Sequence, residues 1–290
     1  MKIEQNTFIL SGDAKGYIDF ARAFSALNGK ALCQTKRHDG KYKPLTYLIR
    51  MRALAGTATI EYLNSGYPTR NAVVLAGAAR DRMLKSAGVS RSNLESYQKE
   101  LRILMDSNMK EEDIWLPNST KPGTSDSVVP GGGGVGDDAY GFNLTYDYTD
   151  LVHADGTAAD VDVRGTLCML GSSTIITNSL GESFFPVIKN WKEYRHSFTP
   201  ATADNDIAEN AFSKVMQQGQ TADSIIDIVE DEQDEKPYNL DDFVNKVQST
   251  IVSTAVGSPV SSVHSFPLGL CYMNLTNGAV EFELVGVTEL

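Results

Sequence analysis

The chain has 290 residues, of which 41% are hydrophobic and 22% charged, and this ordinary globular composition excludes wholesale disorder. No apolar run approaches the roughly 20 residues of a membrane-spanning helix, and the stretch 8–10 is too short for a secretory signal. Residues 1–110 hold 18 Lys and Arg against 9 Asp and Glu, whereas residues 111–290 hold 8 against 28, so the net charge of −11 combines +9 with −20. This asymmetry predicts two surfaces of opposite sign, which could face nucleic acid, a neighbouring copy, or each other within one chain.

The first 44 residues are predicted to form an N-terminal helical segment. Residues 16–28 place their apolar side chains on one broad helical face, and Gly29 stands where that helix would end. The remaining residues, 45–290, are predicted to form one β domain that carries helical insertions.

Two strands are predicted at the start of the β domain, over 45–52 and 57–63. In the first of them Tyr47, Ile49 and Met51 lie on one side, and with the exception of Leu48 the other side is polar or charged, which is typical of a half-buried strand. The second is rich in β-branched and aromatic residues.

A helical insertion is predicted over 70–106. Asn71 can cap a first helix, and Gly88 follows its expected end. Ser92 and Glu95 have the spacing of a capping box for a second helix.

Residues 117–136 form the clearest predicted loop, because Pro, Gly, Ser and Thr dominate them and four glycines run together at 131–134. The glycines lack the Lys-Ser/Thr pair of a phosphate-binding loop, so a flexible connector is the better interpretation.

Beyond this loop the hydrophobic period changes to two. Strands are predicted over 142–152, 159–164, 166–177 and 183–190. Helical spacing returns over 205–250, which predicts a second helical insertion. Near the C-terminus, 268–275 and 279–287 flank Asn277 and Gly278, which favours a β-hairpin. About eight strands with inserted helices predict a mainly β (α+β) fold, an antiparallel β-sandwich of jelly-roll type.

Few residues form patterns that indicate a reactive site. The sequence has no G-x-S-x-G, H-E-x-x-H, Walker A or C-x-x-C motif, and no enzymatic activity is expected from it. Asp137 and Asp138 could bind a hard cation such as calcium, although loop aspartates more often serve turns and solubility; otherwise no cofactor is expected.

A basic cluster in the first part of the chain could contact nucleic-acid phosphates, or it could be a solvated surface loop. Its members are Lys36, Arg37, Lys41 and Lys43. The first 15 residues hold only Lys2 and Lys15, so a basic N-terminal arm is absent from this pattern.

Three segments together resemble the capsid proteins of small tailless viruses: LTYLIRMRALAG (45–56), the helical region 70–106, and FPLGLCYMNLTNGAVEFELVGV (266–287). The resemblance is to the single jelly-roll shells of circular single-stranded DNA viruses and small RNA viruses. It implies a C-terminal strand that completes the sandwich, decorating helices and self-assembly. The missing Arg/Lys-rich arm departs from that family and puts genome packaging by the terminus in doubt.

The function expected from the resemblance is that of a homo-oligomeric capsid subunit that encloses a genome and is located in the virion after synthesis in the host cell. Two alternatives remain. One is a nucleic-acid-binding nucleoprotein that uses the basic region 36–105, and the other is a metal-dependent β-sandwich binding or enzyme domain.

Overall fold

The computed structural model describes residues 6–28, 32–94, 99–110, 148–154, 162–178, 181–196, 247–254 and 261–290. Within them the strands are β1 (Thr7–Asp19), β2 (Thr35–His38), β3 (Lys41–Leu63), β4 (Asp150–Ala154), β5 (Asp162–Cys168), β6 (Ile176–Thr177), β7 (Ser183–Pro186), β8 (Val247–Ser253), β9 (Ser262–Pro267) and β10 (Leu270–Glu289). The α-helices are α1 (Phe20–Asn28), α2 (Tyr67–Ser86) and α3 (Val187–His196), and short 3-10 turns lie at Arg91–Asn93 and Asn108–Lys110.

Most of the described chain is β structure, and its largest element is a six-stranded antiparallel sheet. Strand β10 lies between β1 and β3, and the other edge of β3 pairs with β9 along its first half and with β8 along its second. The short strand β2 forms a hairpin with the start of β3. The prediction of a mainly β, antiparallel fold with helices between strands is confirmed.

The three long strands of this sheet share one line of irregularity. The register shifts between Gly12 and Ala14 in β1 and between Thr276 and Ala279 in β10. Gly56 of β3 and Asn277 of β10 take left-handed φ angles of 62° and 42° there. An extra residue in a strand reverses the alternation of its side chains, so a bulge can keep the same face apolar on both sides.

The burial pattern shows that the bulges do this. On β3 the inward side chains are odd-numbered before the bulge and even-numbered after it, and β10 shows the same change of parity. On β3 the inward side chains are Tyr47, Ile49 and Met51 before the bulge, and Ala58 and Ile60 after it. On β10 they are Cys271 and Met273 before the bulge, and Val280, Phe282 and Leu284 after it.

The sheet folds back across this line into two facing layers. Phe266 on β9 pairs with Tyr47 in the first half of β3, whereas Tyr62 lies near the other end of β3. If β3 were straight, Tyr47 and Tyr62 would lie about 50 Å apart. The rings of Tyr62 and Phe266 nevertheless lie 4.9 Å apart. Phe20 of α1 fills the space between the layers, with its ring 5.0 Å from Phe266 and 5.5 Å from Phe282. The first hydrophobic core is therefore the inside of one folded sheet.

A second, smaller sheet lies with α2 and α3 around a separate core. Its strand order is β4–β5–β7–β6, and β5 pairs with β7 in parallel. Helix α2 packs on α3, where the ring of Tyr67 lies 5.9 Å from that of Trp191, and on β3 through Gly77. Phe184 and Trp191 are among the side chains buried in this second core.

Several predicted boundaries differ from the structure. Among the described residues of the segment 1–44, the only helix is the nine-residue α1, between strands β1 and β2, and β3 begins inside the segment at Lys41. Residues 16–19, predicted as helix, extend β1, because each pairs with β10 across the sheet. The two strands predicted over 45–52 and 57–63 are one strand, bent at Gly56.

The predicted C-terminal hairpin is also wrong. Asn277 takes the left-handed conformation expected of it, but the chain does not reverse there. Residues Leu270–Glu289 run on as the single strand β10, because β3 pairs with them on both sides of the bulge.

The first helical insertion is confirmed only in part. Helix α2 begins at Tyr67, with Pro68 in its first turn, so Asn71 lies inside it; Gly88 has the left-handed φ of 69° expected after its end. The second helix predicted within 70–106 is not formed over 99–106, where the chain has bends at both ends and an isolated β-bridge at Leu104. Its backbone is bonded elsewhere: Ile103 N–H donates to Gln34 Oε1 at 2.6 Å and Leu104 N–H to Leu167 O at 3.0 Å.

Among the later predictions, strands β6 and β7 lie within 166–177 and 183–190, although residues 187–190 begin α3. Strand β5 runs unbroken across Gly165, which separated two predicted strands, and residues 169–175 are not strand. Of the strand predicted over 142–152, residues 150–152 belong to β4 and 142–147 lie outside the described residues. The end of the predicted helical insertion 205–250 is strand β8. The remainder of that insertion and the glycine-rich loop 117–136 lie outside the described residues.

Candidate functional site

The predicted nucleic-acid contact lies on the β2–β3 hairpin. Asp39 and Gly40, with φ of 50° and 76°, form the turn that joins its strands. Arg37 Nη2 lies 3.0 Å from Asp81 Oδ2 of α2, and Tyr42 OH donates to the other oxygen of the same carboxylate at 3.1 Å. Arg37 therefore anchors the hairpin to α2.

The lysines of the hairpin surround the end of β10. Lys43 Nζ lies 3.1 Å from Glu289 Oε2, and Lys36 Nζ lies 3.9 Å from Glu289 Oε1. The hydrogen bond from Lys43 lowers the pKa of Glu289. Lys41 is exposed beside the turn. Three of the four basic residues thus meet an acidic partner in the same chain, which reduces the positive field available to a phosphate backbone.

A second charged surface lies on the outer face of the folded sheet, which we call the outer charged face. Arg52 and Arg50 of β3 stand directly opposite Glu281 and Glu283 of β10 in register. Arg50 Nη1 lies 2.7 Å from Glu283 Oε2, and Arg52 Nη2 lies 2.8 Å from Glu281 Oε2. The face therefore carries a row of two positive charges beside a row of two negative charges.

These charges stay accessible to solvent. The exposed fractions of the side chains are 46% for Arg50, 49% for Arg52, 34% for Glu283 and 24% for Glu281. Two exposed apolar side chains lie near them: Val263, opposite Arg50 on β9, is 50% exposed and Val285 is 48% exposed. Cross-strand ion pairs this exposed add only about 0.2–1 kcal/mol each to stability, so the fold does not depend on them.

The sequence already showed the alternation that makes this face. Arg50 and Arg52 alternate with apolar residues of β3, as Glu281 and Glu283 do with those of β10. Their pairing was not predicted, because the partners are far apart in the chain: Arg50 and Glu283 are separated by 233 positions. Together with Glu289 it shows that part of the charge asymmetry between the two regions of the chain is compensated within one chain.

A buried polar cluster joins the two cores. Asp19 is fully buried at the end of β1 and accepts hydrogen bonds from the Arg22 backbone N–H at 3.0 Å, Gln34 Nε2 at 2.9 Å and Tyr148 OH at 3.2 Å. Burial raises the pKa of Asp19 to about 6, although these donors and the Arg22 charge act in the opposite direction. The cluster ties α1, the residue before β2 and the segment before β4 together, so its role in the described chain is to position elements.

The described residues hold no group of three or more His, Cys, Asp or Glu placed to bind a metal ion. Asp137 and Asp138, the predicted calcium ligands, lie outside the described residues. Burial raises the pKa of the Cys168 thiol to about 12 and raises the pKa of the Cys271 thiol well above its usual value, so both are neutral at physiological pH. No helix in the described part of the chain is long and apolar enough to cross a membrane.

Comparison of the chain with protein-family models, with curated proteins and with solved structures finds no match.

Proposed function

We propose that this chain is the coat subunit of a small tailless virus, a structural protein of jelly-roll type that assembles into an icosahedral shell around the genome in the virion. The observation that carries the proposal is the folded antiparallel sheet, whose two layers enclose an aromatic core while one outer face presents charged rows and exposed valines. A sandwich of this kind is a rigid block, and repeated contacts between such blocks build closed shells.

The resemblance of 45–56, 70–106 and 266–287 to capsid proteins gives the proposal its second support. The strand at the C-terminal end of that resemblance, β10, lies between β1 and β3 in the sheet, which suits a strand that completes a sandwich. The genome would be enclosed by the shell as a whole, because most of the basic hairpin is paired with carboxylates of the same chain.

Negative-stain electron microscopy and sedimentation velocity of the purified full chain over a range of concentrations test the proposal. We expect rings or closed shells, with the sedimentation coefficient rising as protein is added. A chain that stays monomeric at every concentration, at low and at physiological salt, would contradict the coat function. Salt-dependent binding of an oligonucleotide by that monomer would favour the nucleoprotein alternative.

A further inference from the structure

We infer that the outer charged face, formed by β9, β3, β10 and β1, is a contact between two copies of this chain packed face to face about a two-fold axis parallel to the strands. The inference deepens the proposed function, on which it rests, by naming the surface and the partner.

The charges of the outer charged face are ordered by strand. Positive charges occupy one strand and negative charges its neighbour: Arg50 and Arg52 on β3, Glu283 and Glu281 on β10. A two-fold axis that runs parallel to the strands, above the sheet and midway between β3 and β10, places each strand over the other one in the second copy. The arginine row of one copy then faces the glutamate row of the other, at the same level along the strands.

This arrangement turns each ion pair into a square of four alternating charges. Arg50 keeps its ion pair with Glu283 of its own chain and forms a second one with Glu283 of the other copy. Arg52 forms the corresponding two ion pairs with Glu281 of each copy. Antiparallel sheets pack face to face about 10 Å apart with their strands nearly aligned, a distance that two opposed long side chains can span. An isologous contact needs a self-complementary surface, and two adjacent rows of opposite sign provide one.

The flanking strands fit the same axis. Strand β9 is placed over β1 of the second copy, because these two strands flank the β3–β10 pair on opposite sides. Val263 on β9 and Ile9 on β1 share the outward side of the sheet with Arg50 and Glu281, their respective cross-strand neighbours. Val263 is level with Arg50, Glu283 and Thr7 across the sheet, so the axis places it over Thr7 of the second copy, with Ile9 two residues further along β1. There the half-exposed Val263 would lose water against the second copy.

The size of the face sets the strength of the contact. Four strands about 4.8 Å apart and six residues long cover a plane of about 400 Å² per copy, which is below the roughly 800 Å² per partner of a standard stable interface. A single such contact is weak. In a shell, where every subunit makes several contacts at once, weak contacts suffice and allow assembly to correct errors.

Three variants test the contact. The acidic-face variant carries Arg50→Glu and Arg52→Glu, the basic-face variant carries Glu281→Arg and Glu283→Arg, and the swapped variant carries all four changes. The swapped variant keeps both ion pairs within the chain and keeps a self-complementary face, so it is the matched control. Circular dichroism and thermal unfolding establish that each variant is folded before assembly is measured by sedimentation velocity.

The acidic-face and basic-face variants are the single-sign variants. We expect each of them alone to reach the wild-type sedimentation coefficient only at a protein concentration about tenfold higher or more, because like charges then face each other. An equimolar mixture of the two should assemble as the wild type does. The swapped variant should assemble with itself but not with the wild type, since the mixed contact would place arginines opposite arginines. Co-purification of an untagged copy with a tagged copy shows whether the two proteins associate.

The outcomes separate the two proposals. If the wild type assembles and the single-sign variants assemble equally well, another surface makes the contact and this inference is wrong, while the coat function stands. If the folded single-sign variants fail alone and also fail when mixed, the two-fold arrangement is wrong. If the wild type never assembles, the coat function itself is contradicted.

Discussion

The two hydrophobic cores of this protein are built in different ways. The first lies inside one antiparallel sheet whose strands reach 20 and 23 residues, and it joins residues from both ends of the chain, 7–63 and 247–289. The second lies among helices and strands of two to seven residues, with one parallel pair, and it also takes in side chains of the long strands, such as Tyr17, Tyr42 and Leu270. A single sheet can therefore supply both layers of a sandwich when a line of bulges lets long strands bend without turning their apolar face outward.

The bend of the first sheet depends most directly on the bulge at Gly56. Gly56 has a left-handed φ of 62°, and a Cβ there would lie 2.4 Å from the Asn277 carbonyl oxygen and 2.5 Å from that of Thr276. Gly56→Ala therefore meets both backbone strain and a clash with backbone atoms that cannot rotate away. We expect it to lower the free energy of unfolding by about 3 kcal/mol or more, measured by urea denaturation.

Gly286→Ala is the matched control for that substitution. Gly286 lies in β10 of the same sheet, but a Cβ at that position has no atom within 4 Å and its φ is not left-handed. The free energy of unfolding of this variant should change by about 0.5 kcal/mol at most. Equal effects of the two substitutions would show that the sheet does not depend on the bend at Gly56.

The same bend marks the limit of what could be predicted from sequence. Asn277 and Gly278 indicated a left-handed backbone, and Asn277 has one, but a turn and a bulge use the same local chemistry. Whether such a backbone forms a turn or a bulge is decided by the partner strand. Gly56 of that strand lies beside Asn277 in the sheet, although the two residues are 221 positions apart in the chain. Alternation within β3 and β10 was visible, whereas their pairing, and with it the outer charged face, is a non-local property.

The segment 101–104 shows the same limit from the other direction. Leu101 and Leu104 have helical spacing with the residues before them, which predicted a helix. In the structure the side chains of Thr35 and Gln34 accept the N–H groups of Leu101 and Ile103, at 2.8 Å and 2.6 Å. These partners precede the segment by more than 60 residues, so no local pattern could have revealed that they replace helical hydrogen bonds.

Asp19 offers a second test, because it links the two cores. Its pKa is about 6 in the folded chain and 3.8 without burial, so the unfolded chain releases this proton first as the pH rises. The contribution of Asp19 to stability is full below about pH 4 and is lost by about pH 6, a change of about 3 kcal/mol. The difference in unfolding free energy between wild type and Asp19→Asn should follow this window.

Urea denaturation of both proteins between pH 3.5 and 7 measures that difference. A Tyr148→Phe variant sharpens it, since losing the Tyr148 hydrogen bond should raise the pKa of Asp19 further and extend the loss to higher pH. If the wild type and Asp19→Asn keep a constant difference across the range, the carboxyl of Asp19 titrates as it would in water, and the junction between the cores is open to solvent.

The smallest expected effect concerns the second core, where α2 packs on β3. Gly77 lies inside α2, and an exposed glycine at such a position would be stabilised by about 0.5–1 kcal/mol on substitution with alanine. Here a Cβ would lie 2.2 Å from Cδ2 and 2.6 Å from Cγ of Tyr42, whose hydroxyl is held by Asp81. We therefore expect Gly77→Ala to destabilise the chain by about 1–3 kcal/mol, the usual cost of overpacking, as measured by thermal and urea unfolding.

In a Tyr42→Ala background the ring is gone, and the same substitution should become neutral or stabilising, because only the helix propensity of alanine remains. That reversal of sign would show that close contact between helix and strand, rather than a glycine-dependent bend, sets the geometry of the second core. Destabilisation of equal size in both backgrounds would mean that Gly77 matters for the backbone of α2 itself, and the two cores would then both depend on glycine conformation.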